Sequence, residues 1–70
     1  MKEDEKLRVL VPHWIEHNEE HSDEFRRWAE TAGEAAPDLL AAAEAMRQVN
    51  HSLTAALEKL GGALPRPHSH

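Results

Sequence analysis

The sequence predicts an all-α chain, an antiparallel two-helix hairpin that dimerises into a four-helix bundle, and three observations carry that prediction. Two stretches hold apolar residues at alternating spacings of three and four, a Gly33 to Pro37 break separates them, and Gly61-Gly62 closes the second. The whole is one domain of 70 residues, and setting aside the charged start and the Pro/His end leaves about fifty residues to fold. A core that small usually needs a disulfide, a metal or a partner subunit, and the chain has no cysteine. A metal ion, a second copy, or both are left. Thiolate zinc sites, iron–sulfur clusters and thiol redox chemistry are excluded on the same ground.

The elements follow in order. Met1 to Lys6 is charged, and Leu7-Arg8-Val9-Leu10-Val11 runs into Pro12. Because the residue before proline is pushed out of the α region, residues 7–11 are expected to be extended, an edge strand or a bent helix being the alternatives, with Pro12 in the first turn of a helix over about 12–33. Its stripe reads Val11, Trp14, Asn18, His21, Phe25, Trp28 and Ala32, with the two tryptophans as core anchors. Gly33 offers a left-handed cap, and Pro37 with Asp38 restarts a helix over about 37–60. That helix shows Leu39, Ala43, Met46, Asn50, Leu53, Leu57 and Leu60. Residues 63–70 read as a flexible tail.

Folding the two helices back about Glu34 places residues equidistant from the turn side by side. Asn18 and His21 then fall at the level of Asn50 and Gln48, so the polar interruptions of both stripes meet. A second strip on the later helix, Ala42, Ala45, Val49, Ala56 and Leu60, invites close packing by another helix and suggests the homodimer.

His13, His17 and His21 carry the chemistry. Four-residue spacing puts them up one helix face with a drift of roughly 40° per step, so adjacent pairs can share an ion. Ile15-Glu16 stands where the His-Glu-x-x-His zinc-protease motif would need its own order, so that motif is absent. An all-imidazole site suits zinc, nickel, copper or cobalt. His17 and His21 are the first candidates for metal, with His13 next; among the nearby acids only Glu20 is a candidate oxygen ligand. Considered alone, His21 reads as a hydrogen-bonded core residue, and Asn18 or Asn50 as a device that fixes register. His51 falls on the opposite flank with Leu40, Arg47 and Glu58. His68 and His70 sit in the tail.

Other classes are disfavoured. There is no Glu-x-x-His pair for a di-iron bundle and no context that would activate Ser22, Ser52 or Ser69, so no catalytic residue is assigned. A hydrolytic zinc with an open fourth position is the one enzymatic alternative. The net charge of −5 and the scattered Lys and Arg argue against nucleic acid. No segment reads as a membrane span or a signal peptide, which makes a cytoplasmic location the expectation.

The segment Val11-Pro12-His13-Trp14-Ile15-Glu16-His17-Asn18-Glu19-Glu20-His21, continuing through Phe25 to Ala29 and matched again by the Leu57 to Gly62 ending, resembles a short helical domain of small prokaryotic proteins. The resemblance implies no activity, cofactor or catalytic residue. Two functions thus stand at the level of sequence. One is a soluble transition-metal-binding protein for storage, sensing or delivery. The other is a metal-free homodimeric interaction module whose buried Asn/His layer sets register.

Overall fold

The computed structural model describes residues 2–65. Helix α1 spans Glu3–Ala29, one turn of 3-10 helix spans Gly33–Ala35, and helix α2 spans Ala36–Leu60, packed back along α1 as an antiparallel hairpin.

Helix α1 begins well before Pro12, so residues 7–11 are helical and not extended, and it ends at Ala29, not at residue 33. Two causes favour the earlier start. Glu3, Asp4 and Glu5 crowd the first turn, where the helix dipole favours acids, and the Glu5 carboxylate accepts the Lys2 backbone N–H at 3.0 Å. Proline inside a helix removes one N–H and leaves the carbonyl four residues earlier, that of Arg8, without its helical donor. Here the Leu64 backbone N–H donates to that carbonyl at 3.2 Å. The interruption that predicted a helix start is compensated from the far end of the chain.

Arg8 completes the same junction with its side chain. Its Nε donates to the Gly62 carbonyl at 2.6 Å and its Nη2 to the Gly61 carbonyl at 3.0 Å. Those carbonyls face Arg8 because α2 ends in a Schellman turn: Gly61 N–H bonds to Glu58 O at 3.2 Å and Gly62 N–H to Leu57 O at 2.9 Å. Gly61 adopts φ 111°, and a Cβ there would lie 3.3 Å from the Arg8 guanidinium carbon. Arg8→Ala should therefore cost about 1–2 kcal/mol. Hydrogen exchange would show faster exchange of the Leu64 amide than of amides near the turn.

The helices meet through small side chains. Val11, Ser22, Ala29 and Ala43 are the buried residues, and Ala43 is fully covered. The inward stripe of α1 is Val11, Ile15, Asn18, Ser22, Phe25 and Ala29. It keeps three members of the expected stripe and replaces Trp14, His21 and Trp28 by their C-terminal neighbours. Trp14 and Trp28 are not core anchors; they stand 41% and 63% exposed. The reason is distance: the Ser22 hydroxyl donates to the Ala43 backbone carbonyl at 3.1 Å, an approach too close to admit an indole.

One polar layer crosses the interface. Asn18 Nδ2 donates to Asn50 Oδ1, and Asn50 Nδ2 donates to the Ile15 carbonyl, both at 3.0 Å. Residues 18 and 50 are equidistant from Glu34, so the expected level is met. His21 takes no part in this layer, and Gln48 bonds instead to Glu44 at 3.3 Å.

Candidate metal centre

His13, His17 and His21 occupy successive turns of α1, but they do not form an even ladder. The His13 and His17 rings are stacked with centroids 6.3 Å apart, whereas His17 and His21 meet edge to face at 4.7 Å. The two Nε2 atoms of His17 and His21 lie 3.2 Å apart, at hydrogen-bond distance from each other. Two imidazoles bound to one tetrahedral zinc, at Zn–N distances of 2.0–2.1 Å, hold their nitrogens about 3.3 Å apart. The pair is spaced as a bidentate ligand is spaced, and His13 stands one step outside it.

Helix geometry alone brings these nitrogens together, because residues four apart overlie one another. Each ring is also backed by a carboxylate one turn on. Glu20 Oε1 lies 3.9 Å from His17 Nδ1, and Glu24 Oε1 lies 3.6 Å from His21 Nδ1. Those distances are beyond a hydrogen bond but within an ion pair. A carboxylate that accepts a hydrogen bond from the non-ligating nitrogen fixes the tautomer that presents the other nitrogen to a metal, and these two carboxylates stand on that side of each ring, short of such a bond. Glu20, a candidate oxygen ligand by sequence, stands behind His17 on its Nδ1 side. Glu24 was missed as more than solvated surface, although its signal was readable: His17/Glu20 and His21/Glu24 repeat one i, i+3 spacing.

The surroundings leave the pair open to solvent. The His17 side chain is 60% exposed and that of His21 43%, so His21 is half-exposed and not the core histidine that its stripe position suggested. Phe25 stacks at 6.1 Å on the other side of His21. His13, Trp14, His17, Asn18 and Leu53 line a shallow groove beside the pair. His51 lines a different groove, with Ile15, Glu19, Arg47, Asn50 and Thr54. His68 and His70 lie outside the described residues. Among the described residues no three His, Asp or Glu are placed to hold an ion together. Within those residues the candidate centre is a pair.

A second feature surrounds it. Leu7, Leu10, Trp14 and Trp28 are large apolar residues left exposed on α1. With His17, His21 and Glu24 they fall at positions 7, 10, 14, 17, 21, 24 and 28, an unbroken alternation of three and four. The histidine pair is the middle of that seam. Among the described residues no helix is long and apolar enough to cross a membrane.

Comparison with known proteins adds kinship without chemistry. An uncharacterized protein of Archaeoglobus fulgidus is 39% identical over 61 residues, covering 81% of this chain and 98% of that protein. No solved structure matches. The model of the domain of unknown function DUF8180 matches residues 7–60, which takes in all three histidines of α1 and the whole of α2. The chain belongs to the DUF8180 family.

Proposed function

We propose that this protein binds a transition-metal ion, zinc, nickel, copper or cobalt, through His17 and His21, and that it works as a homodimer whose two hairpins form a four-helix bundle. The observation that carries this reading is the 3.2 Å separation of the two Nε2 atoms, close to the bite that one tetrahedral ion requires. The carboxylates behind both rings support it. A storage, sensing or delivery role fits a centre open to solvent on a small domain better than catalysis does.

The competing reading is a metal-free interaction module, favoured by the exposure of Trp28. Of its Asn/His register layer, the Asn18–Asn50–Ile15 bonds form within one chain, which supports a role for the asparagines in aligning α1 with α2.

Melting the full chain near pH 7.5 with zinc and with chelator separates the two. Zinc at a hundred times its Kd should stabilise by about 2.7 kcal/mol, which raises the Tm of a domain this size by about 10–20 °C. A Tm indifferent to zinc, nickel, copper and cobalt overturns the metal reading. Glu20→Gln with Glu24→Gln should weaken affinity by roughly ten- to a hundredfold, read by titration calorimetry, with helix content unchanged.

A further inference from the structure

The seam on α1 has two properties that belong together. Its ends are apolar and exposed, with Leu7 and Leu10 on one side of the histidines and Trp28 on the other. Its centre offers two imidazoles to an ion whose closed tetrahedral site takes four ligands. One partner chemistry meets both needs: another surface with the same apolar spacing and two further imidazoles.

We propose, resting on the metal reading above, that a second copy of this chain covers this seam with its own α1 running antiparallel. The two-fold axis passes between His17 and His21, so the four imidazoles of two chains enclose a single ion. Each His17 then faces His21 of the other copy, and each Trp28 covers Leu10 of the other copy. Trp14 meets Glu24 of the other copy.

Charge selects this direction over the parallel one. Helix α1 opens with Glu3, Asp4 and Glu5 and closes with Arg26 and Arg27. A parallel pair would stack acids on acids, bases on bases and both helix dipoles alike. The antiparallel pair sets the acidic ends about 45 Å apart and the basic ends about 20 Å apart, at 1.5 Å of rise per residue. It also explains why the apolar residues flank the histidines on both sides, since each end of the seam is covered by the opposite end of its twin.

A single spin label tests the arrangement, because the chain has no native cysteine to compete. The label is placed through Asp4→Cys, in the first turn and away from the histidines, and measured by pulsed dipolar spectroscopy in the zinc-loaded full chain. Native mass spectrometry gives the zinc count. Antiparallel pairing about that axis sets the two labels roughly 45 Å apart, from 1.5 Å of rise per residue. A parallel pair sets them within about 20 Å, given helix axes 8–10 Å apart.

The expected result is the long distance with one zinc per two chains. A short distance in a zinc-loaded dimer overturns the antiparallel seam while metal binding stands. A zinc-loaded monomer overturns the second copy as the source of ligands. Failure to take up zinc, nickel, copper or cobalt overturns the metal reading and this inference with it. Trp28→Ala gives an independent check: exposed in one chain, Trp28 can be removed with the hairpin intact, yet the dimer should weaken by more than tenfold, read by sedimentation. An unchanged dimer constant overturns the seam.

Discussion

Replacing His17 and His21 together by alanine should abolish zinc binding, lowering affinity at least a hundredfold, while the far-ultraviolet circular dichroism of the hairpin stays the same. Both side chains are substantially exposed and neither touches α2 through a hydrogen bond, so their removal takes no core contact away. Alanine is also the strongest helix former, which protects α1 from the change. Each imidazole contributes one bond to the ion and preorganises the other through their shared approach. His17→Ala alone should therefore lose most of the affinity, and His13→Ala much less, because His13 stands a full turn outside the pair. Imidazole binds metal only when neutral, so zinc-dependent stabilisation should fall away as pH drops through about 6. The double variant should show no such dependence. Calorimetry across that range reads both results, and undiminished affinity in the double variant removes the proposed centre from α1.

Ala43→Leu should produce the largest loss of fold stability from a single apolar substitution. Ala43 has no exposed surface, and its own carbonyl receives the Ser22 hydroxyl at 3.1 Å, so the backbones are separated by little more than small side chains. A leucine at that point must push α1 away. Overpacking costs about 1–3 kcal/mol in a rigid core, and here the displacement also loosens the Asn18–Asn50 bond two turns further along. Chains of this length are stable by only about 3–10 kcal/mol, so the midpoint of urea unfolding should fall by roughly a third. Leu40→Ala provides the contrast. Leu40 is 49% exposed, and its loss should stay within about 0.5 kcal/mol.

The hairpin itself was legible because its signals agree. Gly33 does adopt a left-handed φ of 61°, but as the start of the 3-10 turn and not as the cap of α1, which Glu30 provides; Pro37 stands in the first turn of α2, and Gly61 ends that helix. Counting outward from Glu34 placed Asn18 against Asn50, and their hydrogen bond follows that count. The rotational phase of α1 was harder to read. Aromatic residues drew the expected stripe toward Trp14 and Trp28, whereas closely approaching helices bury the smaller Ile15, Ser22 and Ala29 beside them. No single-chain hydrophobicity pattern distinguishes a seam facing α2 from one facing solvent or a second molecule. Pro12 misled for a related reason: its local rule is sound, but the Leu64 N–H that compensates it lies 52 positions away in sequence. For the centre, four-residue spacing identified the three histidines and stripe position ranked His17 and His21 ahead of His13; side-chain geometry adds the 3.2 Å approach of the first two.

The junction at Arg8 gives the molecule two unlike poles. At one, the Gly33–Ala35 turn joins the helices covalently; at the other, Arg8, Gly61, Gly62 and Leu64 hold them by hydrogen bonds. Glu3 lies only about 7–8 Å along the helix from Arg8, at 1.5 Å per residue. The backbone therefore enters and leaves the folded unit at the same pole. Such a unit can be grafted into a surface loop of a carrier protein with little strain on either connection. Grafted that way, it would present its opposite pole outward and leave the histidine face along its side free to meet another graft.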